Sequence, residues 1–257
     1  MTSFRELHQA DRVLVLPNAW DVITARVVEH AGAKAIATSS AAVAWANGAA
    51  DGDRLPTSTL LTAVSAIRRA VRVPLTIDLE GGYAKEPDAI TDLVESVVAL
   101  GVDGINLEDG GGAPDVLAAK IAVVRRIAGD RPFFVNARTD VYLRRLGGVD
   151  ETLARGRLYR EAGADGLFVP GLAAPDDIRA VAAGCGLPRN VMLLPSLPDT
   201  TTLHALGVRR LSAGTAIVQA ALGLVRRAAE ELLATGQSPR LYADPLSYAD
   251  GNALVDR

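Results

Sequence analysis

Short apolar runs of about five residues, rich in β-branched side chains, recur roughly every 30 residues along the chain. Each is followed by a longer Ala/Leu/Arg segment whose apolar positions return at helical spacing. Eight such runs stand at 13–17, 35–39, 75–80, 104–108, 133–139, 166–170, 191–195 and 209–213. Strand followed by helix, eight times over, predicts a (β/α)8 TIM barrel. The punctuation agrees. Pro56-Thr57 and Glu86-Pro87-Asp88 precede the second and third helical segments, where proline fits the first turn. Gly32, Gly101, Gly163 and Gly207 fall where a helix must end and turn back into a strand, the place of left-handed C-terminal caps. A final helix is expected from about 215 to 235, followed by a tail with Pro239, Tyr242, Pro245 and Tyr248 that covers a barrel face or docks on a neighbouring subunit. No linker or low-complexity segment divides the chain. The expectation is therefore one domain over 1–257, with the barrel over about 12–235 and the tail over 236–257.

Composition narrows the partners. The chain is 49% hydrophobic but only 4% aromatic, so its core must be built from Ala, Val, Leu and Ile, which suits a barrel lined by branched aliphatics. A formal charge of −3 with no Lys/Arg-rich run argues against nucleic acid as a partner. Residues 1–12 mix charges without an apolar stretch, and no segment reaches the roughly 18 uncharged apolar residues of a membrane span, so a cytoplasmic protein without membrane contact is expected. The single cysteine, Cys185, excludes an internal disulfide and a cysteine-cluster zinc site.

Barrel chemistry sits at the carboxyl ends of the strands. The third run ends in Asp78-Leu79-Glu80, the fourth in Asn106-Leu107-Glu108-Asp109, and the fifth in Asn136-Ala137-Arg138-Thr139-Asp140. Alternation puts Asp78 with Glu80, Asn106 with Glu108 and Asn136 with Arg138 on common faces. If these faces meet at the barrel mouth, three acids and one arginine converge, and the repulsion calls for a cation or a proton. Hard oxygen ligands suit Mg2+ or Mn2+. His8, His30 and His204 lie away from strand ends, which disfavours zinc and a Ser-His-Asp triad. Of the lysines, Lys34 precedes a strand and Lys120 lies within a helix, leaving only Lys85 for Schiff-base chemistry. Asp109 and Asp140 read as helix caps or surface charges, and Cys185 as a small core residue. After the second run, Thr38-Ser39-Ser40-Ala41-Ala42 offers hydroxyls and amides for a substrate carboxylate. The 40–56 connection, with Asp51-Gly52-Asp53, is long enough to be functional.

Taken in order, Pro17-Asn18-Ala19-Trp20-Asp21, Thr38-Ser39-Ser40, Asp51, Asp78-Leu79-Glu80-Gly81-Gly82-Tyr83, Gly104-Ile105-Asn106-Leu107-Glu108-Asp109 and Asn136-Ala137-Arg138-Thr139-Asp140 resemble the isocitrate lyase/phosphoenolpyruvate mutase superfamily, over about residues 4–225. The resemblance implies a Mg2+-dependent enzyme acting on 2-oxo or 2-hydroxy carboxylates through an enolate. It implies Asp78 as direct metal ligand, with Asp51, Glu80 and Glu108 holding metal-bound waters. Ser39, Ser40 and Ala41 match the segment that grips the substrate carboxylate, with Asn136 beside it, and Arg138 matches the arginine that binds the substrate oxyanion. It also implies a homo-oligomer, a tetramer or dimer, with the last helix exchanged between neighbours. Two departures bear on the reaction. Where the lyases carry a Lys-Lys-Cys-Gly-His type motif whose cysteine is the acid, this chain has Gly110-Gly111-Gly112-Ala113-Pro114, and the longer gating loop of the mutases is absent. Glu80 and Ala84 stand where much of the family has Asp and Gly.

With Arg138, Glu108 and Asp51 as catalytic candidates, the leading expectation is a lyase cleaving a carbon–carbon bond of an oxaloacetate-, malate- or methylisocitrate-like acid. The alternatives are a phosphonopyruvate-type C–P mutase or hydrolase, and a barrel that binds a carboxylate without turnover.

Overall fold

Strands covered by helices on one side and closed on themselves on the other are buried on both faces, so they read as continuous apolar runs. The computed structural model, which describes residues 3–256, follows that pattern; Met1, Thr2 and Arg257 lie outside the described residues. The strands are β1 (Leu14–Leu16), β2 (Asn18–Ala19), β3 (Ile36–Thr38), β4 (Leu75–Asp78), β5 (Gly104–Glu108), β6 (Phe134–Arg138), β7 (Gly166–Phe168), β8 (Arg189–Met192) and β9 (Val208–Ser212). The helices are α1 (Phe4–Leu7), α2 (Val22–His30), α3 (Ser40–Ala46), α4 (Thr57–Ala70), α5 (Thr91–Ala99), α6 (Pro114–Ala128), α7 (Val141–Arg144), α8 (Val149–Glu161), α9 (Pro175–Gly184), α10 (Thr200–Ala205), α11 (Ala216–Thr235) and α12 (Tyr248–Val255). Gly32, Gly101, Gly163 and Gly207 all have positive φ, as their helix-ending positions require.

All strand pairs are parallel, in the order β1-β9-β8-β7-β6-β5-β4-β3-β2. One end of that order, β1, lies in the first apolar run and the other, β2, follows directly after it, so the sheet closes as a (β/α)8 barrel through a strand that changes neighbour. The break falls at Pro17, which has no N–H to give to a ladder. Before it, Leu14 pairs with Arg210; after it, Asn18 pairs with Ala37. Asn18 spans the gap: Nδ2 donates to Thr38 O at 2.7 Å, and Oδ1 accepts from Gly214 N at 2.9 Å.

Three expectations need correcting. The strand expected at 191–195 is β8, Arg189–Met192, shifted toward the amino end because polar Arg189 belongs to it; its guanidinium donates to Gly207 O. The first half of the 40–56 connection is helical, as α3, capped by Ser39 accepting from Ala42 N. The barrel interior is not lined by aliphatics throughout. A small apolar plug of Phe4, Leu14, Leu16, Ala35, Ala37 and Phe134 fills the amino-terminal end, and the large aliphatic core lies between strands and helices. Above the plug is a polar layer. Asn136 donates to Asn106 and Asn190, and fully buried Arg210 reaches across from β9 to Asn106 on β5.

The tail resolves into a turn at Pro239–Tyr242 and α12, which docks on α2, with Arg26 Nε donating to Leu254 O at 2.6 Å. By contrast α11 buries only Val218 and Ala228, and exposes Ile217, Leu222, Leu224, Val225, Leu232 and Leu233. Among the described residues no helix is long and apolar enough to cross a membrane.

Candidate active site

Parallel pairing ranks Asp78, Asn106 and Asn136 at one level and Glu108 and Arg138 at the next, so these side chains point inward together. Arg138 is the hub. Its Nη1 lies 2.6 Å from Glu108 Oε2 and 4.0 Å from Asp78 Oδ2, while Nε and Nη2 donate to the two oxygens of Asp140 at 2.8 and 3.2 Å. The Glu108 contact lacks hydrogen-bond alignment, and Glu108 Oε2 is a buried oxygen without a hydrogen-bond partner. One guanidinium thus serves three acids, and it cannot neutralise them all. Burial, only partly offset by Arg138, raises Glu108 to about 8, and Asp78 and Asp140 add to the rise. Asp78 is also raised, by burial first. Burial opposes the charge of Arg138, but Glu108, Asp78 and Asp140 outweigh it and hold the guanidinium firmly protonated.

Local backbone bonds aim these groups. Asp78 N donates to Thr38 Oγ1 at 3.0 Å, and Glu80 N to Asp78 Oδ1 at 3.1 Å, which leaves Asp78 Oδ2 facing Arg138. Glu80 has a left-handed backbone (φ 50°), which turns its carboxylate toward the next loop. There it accepts from Gly52 N at 2.7 Å, from Asp53 N, and from Tyr83 Oη at 2.7 Å. Glu80 therefore anchors the loop that carries Asp51. Asp53 and Tyr83 are left-handed too, and Tyr83 N donates to Asp53 Oδ1 at 3.1 Å. Gly81 is required for this approach: a β-carbon there would stand 2.7 Å from Asp53 Oδ2. From below, buried Lys120 donates to Gly81 O and Ala84 O, both at 2.6 Å, and pins the loop after β4. Non-glycine residues in strained conformations gather at functional sites when surrounding bonds hold them there.

These elements enclose a cavity of about 410 Å3 lined by Ser40, Asp51, Gly52, Glu80, Glu108, Arg138, Asp140, Leu143 and Arg144. A larger cavity of about 550 Å3 lies toward the amino ends of the strands, among residues of α2, α10 and the segment before β1, at the pole where barrel enzymes carry no chemistry. Of the expected site residues, Ser40, Asp51, Glu80, Glu108 and Arg138 line the 410 Å3 cavity, and Asp78 is buried beside Arg138. Ser39 is occupied as a helix cap, Ala41 is buried, and Asn136 belongs to the polar layer beneath; none of the three is in the lining.

Sequence reading also missed members. Asp140, taken for a cap or surface charge, is 2% exposed and grips Arg138 with both oxygens. The signal available was its place two residues beyond Arg138. Asp109 is a structural post: its side chain accepts from Tyr159 Oη, Arg155 Nη1, Gly111 N and Asp140 N. Nothing in their spacing marked Leu143 and Arg144.

Among the described residues no three His, Cys, Asp or Glu side chains converge to hold an ion directly. The donor set still fits Mg2+, which keeps several waters and asks for one or two carboxylates. Asp78 and Glu108 are acids short of positive charge, and Glu108 Oε2 is an orphaned oxygen that an ion's water would satisfy.

The family model described as phosphoenolpyruvate phosphomutase matches residues 4–233. The chain is similar to Uncharacterized protein Rv1998c of Mycobacterium tuberculosis, 36% identical over 99% of this chain and 96% of that one. It is similar to the 2-methylisocitrate lyase of Bacillus subtilis, 29% identical over 72% of this chain and 64% of that one. Among solved structures, a phosphonopyruvate hydrolase in complex with oxalate and Mg2+ superposes with a TM-score of 0.85 at 25% identity, covering 97% of this chain and 92% of that one.

Proposed function

Because this chain belongs to the isocitrate lyase/phosphoenolpyruvate mutase superfamily of lyases and mutases, we propose that it is a Mg2+-dependent lyase cleaving a carbon–carbon bond of a small 2-oxo or 2-hydroxy acid of the oxaloacetate, malate or methylisocitrate type. The observation that carries this reading is the single guanidinium of Arg138 shared by Asp78, Glu108 and Asp140 at the floor of the cavity. Asp78 would hold the ion directly, and Asp51, Glu80 and Glu108 its waters. When bound, the ion supplies Lewis-acid stabilisation of the charge that develops on the 2-oxo oxygen.

The protein's own groups do the rest. Arg138, fixed by Asp140, presents Nη1 to the same oxygen as negative charge grows there, a preorganised donor of the oxyanion-hole kind. Ser40, at the first turn of α3 and in the cavity lining, takes the substrate carboxylate with its hydroxyl and its own amide, while the Ser39 amide is spent on Ala19 O. The 110–112 glycines carry no acid side chain, so the enolate takes its proton from solvent, and a 2-hydroxy substrate gives its hydroxyl proton to solvent as the carbon–carbon bond breaks and the C2 carbonyl forms. The likeness to a phosphonopyruvate hydrolase, with water as acceptor, supports hydrolysis of a C–P bond as the second reading. We further propose one domain over 1–257 in a cytoplasmic homodimer or homotetramer, in which a neighbour covers the apolar face of α11.

The test is product formation followed by NMR from oxaloacetate, 2-methylisocitrate, substituted malates and phosphonopyruvate, each with Mg2+ and with chelator. Metal-dependent pyruvate, oxalate or another cleavage product supports the lyase. Phosphate or phosphoenolpyruvate from phosphonopyruvate supports the second reading. Tight oxalate binding without any product reduces the barrel to a carboxylate binder.

A further inference from the structure

The 410 Å3 cavity has two arginines in its lining, and they stand in opposite situations. Arg138, at the floor, is engaged by Asp140 and Glu108. Arg144, at the exposed rim on α7, has no ion pair among the described residues, although Asp51, Glu80, Glu108 and Asp140 line the same space.

The fold seats Arg144 deliberately. Its backbone N donates to Asp140 O at 2.8 Å, closing the single turn of α7 directly after the residue that grips Arg138. Arg145 then takes a left-handed conformation (φ 55°), which stops the helix. A non-glycine residue keeps that conformation only where its surroundings fix it. The stem of Arg144 rests on the glycine loop: a β-carbon at Gly111 (φ 80°) would stand 2.9 Å from Arg144 Cγ and 3.2 Å from Leu146 Cδ1. Gly111, which carries no catalytic side chain, thus has a positive role: it leaves room for an arginine to reach the cavity mouth from α7.

Resting on the reading that this cavity takes a small 2-oxo or 2-hydroxy acid, we infer that Arg144 is a specificity-determining residue, which receives a second carboxylate at the end of the substrate remote from the 2-oxo or 2-hydroxy group. Four of the lining side chains are acids that repel a second anionic group, Arg138 is already engaged, and the guanidinium of Arg144, with a free fork, matches a carboxylate with two parallel hydrogen bonds. Among the acids of the proposed reaction, Arg144 therefore favours those with a second carboxylate and disfavours monocarboxylates.

The experiment is calorimetric titration, in the presence of Mg2+, of oxalate and of L-malate into the full-length wild type, Arg144→Gln and Arg144→Lys. Oxalate has no distal group. Its affinity should stay within about twofold in both variants, while that of malate falls roughly tenfold in Arg144→Gln and less in Arg144→Lys, which keeps the charge but not the fork. Retained oxalate binding with unchanged malate affinity overturns the role of Arg144 and leaves the site reading standing. Parallel losses for both ligands overturn it as well, since Arg144 would then act on the site as a whole. Wild type that binds neither ligand with Mg2+ removes the site reading and this inference together.

Discussion

Ion binding at this site must expel a proton from Glu108. The carboxyl stands at about 8 because burial outweighs its share of Arg138, so about nine in ten copies carry a proton at pH 7. Ionising it costs ~1.4 kcal/mol at pH 7 and ~2.7 kcal/mol at pH 6. Apparent Mg2+ affinity should therefore rise nearly tenfold per pH unit up to about 8 and then level, roughly 50-fold between pH 6 and 8. Calorimetry in buffers of different ionisation heat should detect ~0.9 proton released per ion at pH 7 and ~0.1 at pH 9. The Glu108→Gln variant should bind more weakly but lose most of this slope. The metal-free protein gives the matching sign. Glu108 is raised from 4.5 in the folded state, so the folded chain holds the extra proton between about 4.5 and 8. Its contribution to stability is full below 4.5 and is lost as pH rises through 8. Wild type should therefore lose stability relative to Glu108→Gln as pH rises across that window, while Asp78, raised by the same burial, adds a loss of the same sign to both proteins. A flat affinity from pH 6 to 8, or proton release unaltered in Glu108→Gln, would refute the argument.

Three further outcomes follow from the geometry. Asp140→Asn keeps the shape but removes the charge that orients Arg138; kcat should fall roughly 10- to 100-fold with KM little changed, and an unaltered kcat on the substrate found by NMR would show that Arg138 is held by other means. Lys120→Met leaves Gly81 O and Ala84 O without their donor and should cost about 2–3 kcal/mol in urea unfolding; a loss below about 0.5 kcal/mol would mean that the loop after β4 does not depend on this clamp. Paired Val225→Glu and Leu233→Glu changes on α11 should reduce the oligomer's mass in sedimentation to that of one chain, whereas a wild-type monomer would contradict the proposed assembly.

The barrel was legible because it is periodic. Buried parallel strands are mostly apolar, several barrel helices end before left-handed glycines such as Gly32, Gly101, Gly163 and Gly207, and both leave marks at regular intervals, from Leu75–Asp78 to Val208–Ser212. The acids and Arg138 were legible for a related reason, since parallel register turns strand-end positions into neighbours. Contacts that depend on a side chain's reach were not. Lys120 sits in the middle of a helix, as expected, yet its four-carbon stem carries the ammonium to another unit's loop. Asp140 looked like a cap because its backbone is one; its two hydrogen bonds to Arg138, made by a buried carboxylate, show the role that its spacing only hinted at. The polar layer of Asn106, Asn136, Asn190 and Arg210 was hidden likewise, because single polar residues inside apolar runs do not reveal that they meet across the barrel.

The divided first strand also fixes the order in which the barrel can be completed. Asn18 bridges Thr38, only 20 residues away, and Gly214, 196 residues away. During synthesis β2 can pair with β3 as soon as both have emerged, but β1 must wait for β9, the last strand made. Until then the growing sheet has two open margins of unsatisfied amides and carbonyls, exposed to other nascent chains. Chains truncated before β9 are thus expected to stick together and not to accumulate as soluble part-barrels, so the seam at Pro17 works as a checkpoint that only a chain carrying β9 passes.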